Sequence, residues 1–301
     1  MVTRIKVLAG LRTDEHFAAQ DGKLSFRTGI DLPKERQEKM DVRVSIVPTT
    51  HGEKVVMRLL SARVRQYSLE DMGFSETDLK RLKEAYIKPY GMIIASGPTG
   101  SGKTTTMYAV LKILNKRDIN ITTIEDPVEY DMEGVNQIQV NQKTGLTFAL
   151  GLRSIVLIRL LDMGVEPFLV ASSVNVVVAQ RLVRVLCPQC KKEKQLATAE
   201  LYKNFPPDFV KKHLGSGAKV KVFEAQGCSV CQNTGYTDRI GIHEVMLIDD
   251  EIRQAVIDRK AADTIEEMSI KKGMISMLED GFIKVGKGIT TIEELLRVVK
   301  E

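Results

Sequence analysis

The sequence predicts an α/β fold, because a glycine-rich loop and an amphipathic helix lie between two short apolar segments. These segments are residues 92–95 and 119–124, and uninterrupted apolar character is typical of strands buried in a parallel sheet. Between them, apolar residues recur at helical spacing, at Met107, Val110, Leu111 and Leu114. A strand, a loop, a helix and a second strand in this order predict a right-handed βαβ unit at the centre of the fold.

Length and composition bound the classes of protein to which the chain can belong. Its 301 residues suffice for about two domains, and 43% hydrophobic and 28% charged residues are ordinary for a globular protein. The net charge of +5 is too mild to indicate a nucleic-acid partner by itself. No apolar run approaches the roughly 20 residues of a membrane-spanning helix, and the first residues lack the apolar core of a signal peptide. We therefore expect a cytoplasmic protein whose membrane contact is peripheral.

Patterns along the chain divide it into four segments. Residues 1–66 read as a small mixed α/β region, in which residues 42–46 and 54–60 predict the strands of a hairpin with a longish loop. Ser75 is the predicted N-cap of the next helix, and Glu294 completes a capping box at the last one. The segments are the mixed region, the α/β core, a cysteine-bearing element and a helical C-terminal region, at residues 1–66, 67–186, 187–237 and 238–301.

The strongest motif is GPTGSGKT at residues 97–104, which has the G-x-x-x-x-G-K-[ST] pattern of a phosphate-binding loop. Glycines allow consecutive backbone N–H groups to point inward around phosphate oxygens, and the N-terminus of the next helix adds partial positive charge. We expect Lys103 to reach the β- and γ-phosphates and the Thr104 hydroxyl to hold Mg²⁺. A glycine-rich turn can match by chance, but the flanking strand and helix favour nucleotide binding.

Acidic residues follow the second predicted strand, in the sequence TIEDPVEY at residues 123–130. Ligands of open α/β sheets bind at the carboxyl edge of the strands, so we expect Glu125, Asp126 and Glu129 to lie near the phosphates. One carboxylate would hold the water shell of the metal, and another would orient or deprotonate the attacking water. The alternative is a solvated acidic turn made stiff by Pro127.

The four cysteines form two C-x-x-C pairs, Cys187 with Cys190 and Cys228 with Cys231. Four thiolates in this pattern suit tetrahedral Zn²⁺ and leave no open position, so the predicted site is structural. The 37 residues between the pairs exceed the spacing of compact zinc ribbons, and a redox-active pair is the alternative. Zinc is favoured because no cysteine is left over. The neighbouring lysines fit a solvated face better than a nucleic-acid site, since no aromatic stripe accompanies them.

Two arginines lie one on each strand of the predicted hairpin, at Arg43 and Arg58. On pattern alone, both are ordinary surface arginines. The four histidines are scattered and form no cluster, so their spacing assigns them no chemistry.

Five motifs, spread over most of the chain, carry a resemblance to one known family. They are GPTGSGKTTT, TIEDPVEY, RLLDMGVEPFLVASS, AQRLVRVLCPQC and GYTDRIGIHEVM. Together they resemble the secretion ATPase superfamily, the hexameric motors of bacterial type II secretion and type IV pilus assembly. VRVSIVPTTHGEKVVMRLL is similar to the end of that family's N-terminal domain. The tetracysteine element points to the secretion or pilus-assembly branch, because retraction motors of the family generally lack it.

The resemblance implies a P-loop RecA-like core, preceded by a remnant of the small mixed α/β N-terminal domain. The acidic motif matches the family's Asp box, which makes Glu125 and Glu129 the candidate catalytic acids, with Glu125 and Thr104 on the magnesium ion. Arg43 and Arg58 match the arginines that reach a nucleotide held at a subunit interface, where they would stabilise transition-state charge. ATP would be bound by Gly97, Pro98, Thr99, Gly100, Ser101, Gly102, Lys103, Thr104 and Thr105.

The resemblance also implies partners. Copies of the same chain would form a homohexamer, and ATP turnover would move the N-terminal domain against the core. This motion would drive an inner-membrane platform protein from the cytoplasmic face of the membrane, so that pilin-like subunits are lifted out of it. Zinc would brace the C-terminal domain.

The sequence departs from the family pattern after GLRSI, at residues 151–155. In the family, this motif leads to a Walker B strand ending in Gly-Glu, then to a histidine-containing box, and only later to RLLDMGVEP. Here Val156 follows at once, so a stretch longer than a βαβ unit of roughly 30 residues is absent, with a central strand and the Walker B glutamate. Glu166 lies beyond this point and matches a structural helix start. The family's opening "ASDIHIEP"-like strand is also absent.

Two interpretations of this departure stay open. The working protein contains a segment that this sequence omits, or the chain is a catalytically impaired subunit that binds nucleotide, or only partner proteins, among intact copies. Deleting a strand buried on both faces leaves apolar surface and unpaired backbone groups, so we expect a destabilised core. A nucleic-acid translocase on the same core is disfavoured by the mild charge and the lack of a basic or aromatic stripe.

Overall fold

The computed structural model describes six ranges of the chain, residues 1–28, 38–60, 68–125, 128–129, 132–140 and 173–300. The chain forms two compact units, Met1–Tyr67 with Asn120–Gly151, and Ser68–Ile119 with Leu152–Glu301. Residues 120–151 thus belong to the same unit as the N-terminal region. The division of the chain into four segments stays a prediction. Three features named above lie outside the described residues: Asp126, the departure at residues 151–156, and Glu166.

Ten strands and nine helices occur in the described ranges. The strands are β1 (Gln20–Thr28), β2 (Glu38–Thr49), β3 (Gly52–Leu60), β4 (Met92–Ser96), β5 (Ile121–Glu125), β6 (Val135–Gln139), β7 (Val174–Leu186), β8 (Lys191–Ala197), β9 (Lys219–Ala225) and β10 (Tyr236–Leu247). The helices are α1 (Val2–Leu8), α2 (Glu76–Tyr86), α3 (Lys103–Leu114), α4 (Thr198–Leu201), α5 (Pro207–Leu214), α6 (Asp250–Ile257), α7 (Ala262–Lys271), α8 (Met277–Gly286) and α9 (Ile292–Lys300). The described strands form sheets in the orders β1–β2–β3, β10–β7–β4, β5–β6 and β8–β9.

In the first unit, the antiparallel sheet β1–β2–β3 buries one face against α1. Val42, Val44 and Ile46 alternate along β2 and are almost inaccessible to solvent, as expected for a strand with one covered face. The predicted hairpin is confirmed as β2 and β3, but Thr49 pairs with Gly52, so only two residues connect the strands. The connection is shorter than predicted because Gly52, with φ +120°, adopts a conformation that permits a tight turn.

β5 and β6 form a separate parallel pair in the first unit, in register from Ile121 opposite Val135 to Glu125 opposite Gln139. The sequence predicted that β5 and β4 would share one sheet as a βαβ unit. For the described strands this is wrong, because β4 pairs with β7 instead. β4 and β7 are distant in the chain, and no local pattern in the sequence specifies that they pair.

The second unit is built around β7, a 13-residue strand that pairs with β4 on one side and β10 on the other. β4 runs parallel to β7, with Ser96 opposite Ala179, whereas β10 is antiparallel. Val176 and Val178 of β7 are fully buried in a core that includes residues of α2 and α3. Because β7 extends beyond the end of β4, residues 180–186 run past the start of the loop that follows β4.

β4 is less buried than the sequence predicted. Met92, Ile93 and Ala95 are half-buried, and Ile94 is 39% exposed. The prediction assumed a strand inside a parallel sheet with neighbours on both sides. Among the described strands, β4 has one neighbour, β7, so its apolar residues are covered only in part.

Two helices begin at the predicted caps. Ser75 precedes α2, and its side chain accepts a hydrogen bond from the backbone N–H three residues later. Thr291 precedes α9, and its hydroxyl accepts from the backbone N–H of Glu294 at 3.1 Å, which confirms the predicted start of the last helix. The Glu294 carboxylate bonds to Arg184 and Arg297 rather than back to the backbone of Thr291, so the predicted capping box forms only its first half.

The C-terminal helices surround the end of the second unit's sheet. Residues of α4, α5, α8 and α9 pack with β7, β9 and β10 around Phe282 and Leu295, which are fully buried. Within the described ranges, no helix combines the length and the apolar character that crossing a membrane requires.

Candidate functional site

The glycine-rich loop joins β4 to α3, and its glycines adopt backbone conformations that disfavour other residues. The angle φ is +149° at Gly97, +78° at Gly100 and +92° at Gly102. A Cβ atom on Gly97 would lie 2.3 Å from the carbonyl oxygen of Gln180, so the loop passes β7 too closely for a side chain. Loops of this kind can direct consecutive N–H groups into one concavity, as a phosphate cradle requires.

Lys103 opens α3, and its ammonium group folds back onto the loop. Nζ donates to the carbonyl oxygens of Gly97 at 2.6 Å and Pro98 at 2.9 Å. The cation therefore lies at the N-terminus of a 12-residue helix, whose own partial charge also attracts an anion. Thr104 follows in the first turn and is exposed, which leaves it accessible to a ligand.

Gln180 holds the loop in place, and sequence reasoning did not single it out. Its buried side chain donates from Nε2 to the carbonyl oxygen of Ser101 at 2.8 Å and accepts at Oε1 from the Thr106 hydroxyl at 2.8 Å. One amide thus ties the loop and the start of α3 to β7. The available signal was a glutamine in a largely apolar strand, because a buried amide needs hydrogen-bond partners.

The two predicted arginines of the first unit lie directly opposite each other. Arg43 of β2 pairs with Arg58 of β3 and with Lys23 of β1, so three cations form a row across one sheet face. Like charges at opposite positions repel and reduce the stability of a sheet. Binding of an anion explains such a row better than packing does.

Glu129 lies beside this row. A cavity of about 130 Å³ in the first unit is lined by Lys23, Arg43, Glu129 and Gln139, among others. Lys23 also donates from Nζ to the backbone carbonyl oxygen of Glu129 at 3.3 Å. The structure therefore brings together two of the predicted catalytic residues, Arg43 and Glu129.

Glu125 ends β5 and is held by neighbouring side chains. Its Oε1 accepts from the Thr123 hydroxyl at 2.6 Å and from Nε2 of Gln137 at 3.0 Å. The structure does not place Glu125 in the sheet that carries the glycine-rich loop. Its role in metal binding and catalysis stays a prediction, as do the roles of Glu129, Arg43 and Arg58.

The four cysteines converge in the second unit. The Sγ atoms are 3.9 Å apart between Cys187 and Cys228, 3.8 Å between Cys190 and Cys231, and 3.7 Å between Cys228 and Cys231. A tetrahedron with zinc–sulfur distances of about 2.3 Å has edges of about 3.8 Å. A disulfide needs about 2.05 Å between the sulfurs. The arrangement therefore fits one metal ion held by all four thiolates.

Hydrogen bonds and burial shift the pKa of two thiols, Cys231 and Cys190, in opposite directions. Burial opposes ionisation of Cys231, but backbone N–H groups of Cys228 and Gly235, each 3.2 Å from Sγ, help to lower its pKa to about 6. Burial raises the pKa of Cys190 to about 12. Backbone N–H donors around a thiolate are typical of the outer shell of a metal site.

Comparison with protein families identifies a match over most of the chain. The family model described as "Type II/IV secretion system protein" matches residues 1–157 and residues 155–297. The two matched segments overlap at residues 155–157, next to the predicted departure after residue 155.

Two curated relatives resemble the chain over nearly its whole length. The type II secretion system protein E of Pseudomonas aeruginosa is 38% identical, over 100% of this chain and 65% of that protein. The type IV pilus assembly ATPase PilB of Myxococcus xanthus is 37% identical, over 98% of this chain and 58% of that protein. The chain thus spans less than two thirds of the length of these relatives.

A solved structure supports the fold. The ATPase DotB of Yersinia pseudotuberculosis superimposes with a TM-score of 0.59 at 13% identity, covering 98% of this chain and 81% of that one. At this identity the likeness concerns the fold alone, and it confirms the predicted α/β class.

Proposed function

The chain belongs to the family of type II/IV secretion system proteins, and we propose that it is an ATP-hydrolysing motor of type II secretion or type IV pilus assembly. The observation that carries the proposal is the glycine-rich loop, where three glycines with positive φ precede Lys103 and its ammonium lies on the loop carbonyls. The names of the two relatives, one a secretion protein and one a pilus assembly ATPase, support the same function.

In this proposal, the loop binds the phosphates of ATP. Backbone N–H groups of residues 99–105 donate to phosphate oxygens. The Lys103 ammonium leaves the carbonyl oxygens of Gly97 and Pro98 and donates to the phosphates instead. Thr104 offers its hydroxyl to Mg²⁺, and Glu125 is the proposed carboxylate on the metal side. When bound, the magnesium ion supplies charge neutralisation for the phosphates.

The first unit contributes the proposed catalytic groups. Arg43 and Arg58 supply positive charge to a nucleotide held at a subunit interface, and an anion there would relieve the repulsion within their row. Glu129, which lines the same cavity as Arg43, and Glu125 are the acids proposed to orient or deprotonate the attacking water.

The proposed metal and partners follow from the cysteines and the family. The distances among the four sulfurs support one structural Zn²⁺. The proposed assembly is a homohexamer that acts on an inner-membrane platform protein from the cytoplasmic face. Nucleic acid is not among the proposed partners.

A second candidate function is a subunit that binds nucleotide without hydrolysing it. The alignment with the Pseudomonas aeruginosa protein extends over 344 positions, whereas the chain has 301 residues, so about 43 positions face no residue of this chain. The two segments of the family match meet at residues 155–157. Both observations fit an internal departure near residues 155–157, where the resemblance places the family's Walker B glutamate. They fit equally a working protein that contains a segment this sequence omits.

Replacement of Lys103 tests nucleotide binding. Lys103→Ala removes the only side-chain cation of the loop, so we expect the affinity for a non-hydrolysable ATP analogue to fall about 100-fold in a calorimetric titration. Lys112→Ala changes an exposed lysine of the same helix and is the matched control. Equal affinity of the Lys103→Ala and Lys112→Ala proteins would refute the assignment of the loop.

A further inference from the structure

A cavity of about 210 Å³ adjoins the glycine-rich loop within the second unit. One wall is the loop itself, at residues 98–101. The other lining residues include arginines from β7, β10 and α9. We call this cavity the arginine pocket, and its arginines are Arg181, Arg184, Arg239 and Arg297.

Two of these arginines are held by one buried carboxylate. Arg184 donates to Glu294 from Nε at 2.9 Å and Nη2 at 2.7 Å, and Arg297 donates from Nε at 3.1 Å and Nη2 at 2.8 Å. Burial opposes ionisation of Glu294, but hydrogen bonds from Arg297 and Arg184 prevail and lower its pKa to about 2. The Arg184 guanidinium also lies 4.1 Å from the ring centroid of Tyr236. Arg184 and Arg297 are therefore fixed parts of the wall.

The other two arginines have no carboxylate partner in the part of the chain that the structure describes. Arg181 donates to the backbone carbonyl oxygen of Val298. Arg239 is exposed on β10, and its guanidinium makes no hydrogen bond or ion pair with a described residue. Among the described residues that line the pocket, four are arginines and none is acidic, so positive charge prevails there even though the Glu294 carboxylate bonds to two of them.

This imbalance favours an anionic ligand. Positive charge in a concave site attracts anions, because low-dielectric walls focus the field. Guanidinium groups present planar forks of N–H donors that match phosphate oxygens, and the facing loop adds backbone N–H groups and the Thr99 hydroxyl. A purine base could stack on one guanidinium plane, but it would leave the charge uncompensated.

We propose that the arginine pocket binds a phosphoryl group of the nucleotide held by the glycine-rich loop, with Arg239 and Arg181 as its ligands. The proposal rests on the proposed function, and its support is that residues 98–101 belong both to the loop and to the pocket wall. Arg184 and Arg297 are positioning residues, since each already donates from Nε and Nη2 to Glu294. Phosphate contact would then come from the same chain as the loop, in addition to arginines at a subunit interface.

Arg239→Gln tests the proposal, because this side chain is exposed and has no described partner to lose. The chain with this change, the unchanged chain and Lys103→Ala are each titrated with a non-hydrolysable ATP analogue and with inorganic tripolyphosphate. Arg117→Gln removes one charge from an exposed loop of the same unit and is the matched control. Thermal melting of each protein verifies that the variants are folded.

We expect Arg239→Gln to weaken both ligands by about 10- to 100-fold, as for the loss of a charged hydrogen bond, and Arg117→Gln to change neither. Equal affinities for the two variants would overturn the proposal. If Arg239→Gln weakened only the ATP analogue, the pocket would contact the base or ribose instead of a phosphoryl group, which would also overturn the proposal. Tripolyphosphate binding that needs Arg239 but survives Lys103→Ala would show a site for a separate anion, such as a lipid headgroup, and would also overturn it. Nucleotide binding that is absent from the unchanged chain would instead refute the proposed function.

Discussion

Arg58 shows how a single residue can look ordinary in sequence and significant in structure. It is exposed on β3, but it lies opposite Arg43 in a row of three cations that repulsion alone would disfavour. The sequence could not show that Arg58 lies opposite Arg43, because this depends on the register between β2 and β3.

We predict that Arg58→Ala lowers ATP turnover by up to roughly 1000-fold, because it removes charge that stabilises the transition state. Affinity of the chain for an ATP analogue should change little. Lys54→Ala, which removes an exposed cation from the same strand, is the control. A normal steady-state rate of phosphate release for Arg58→Ala would return Arg58 to an ordinary surface role.

Glu294 is the residue whose ionisation should matter most for stability. Its side chain is fully buried between two half-exposed arginines, so Glu294→Gln leaves them without their carboxylate. We predict a loss of roughly 2–3 kcal/mol in the free energy of unfolding, measured by denaturant titration at neutral pH. Glu293→Gln, at an exposed neighbouring position, should be close to neutral.

The pH dependence of this contribution has a definite sign. The pKa of Glu294 is about 2 in the folded chain and 4.5 in the reference state, so its stabilisation is complete above pH 4.5 and is lost as the pH falls toward 2. As the pH is lowered over this range, the free energy of unfolding of the Glu294→Gln protein should therefore fall less steeply than that of the unchanged chain. Parallel stability curves for the two proteins between pH 4.5 and 3 would contradict this assignment.

At the scale of elements, local signals were sufficient for the hairpin, for the Ser75 cap and for the helix after the glycine-rich loop. Each depends on residues close together in sequence. The pairing of β4 with β7 joins strands that are distant in the chain, and no local pattern specifies such a partner. The same holds for the bond from Gln180 to Ser101, which could be seen only after β7 lay beside the loop.

The cysteine element provides a test at this scale. We expect freshly purified protein to contain one zinc ion per chain by elemental analysis. We expect Cys190→Ser to lose the ion and lower the melting temperature, because a structural metal contributes directly to folding. Ser229→Ala, at an exposed position between the second pair of cysteines, should keep the metal. Protein purified without chelator that holds no zinc would refute the site.

At the scale of the molecule, the proposed catalytic groups are divided between two compact units. The glycine-rich loop and the arginine pocket belong to the second unit, whereas Arg43, Arg58, Glu125 and Glu129 belong to the first. The family was predictable from sequence, because short motifs carry the resemblance, whereas the roles of the motif residues stay predictions. The separation of β5 from the sheet of β4 was not, since it depends on which strands neighbour each other.

Phosphate release from ATP by the purified protein decides whether this chain is an ATPase. Lys103→Ala is the blank, because it removes the loop cation while keeping the rest of the fold. We predict magnesium-dependent release clearly above this blank, with Glu125 or Glu129 orienting or deprotonating the attacking water. Release equal to the blank from a chain that still binds an ATP analogue would contradict the motor function and establish a nucleotide-binding subunit.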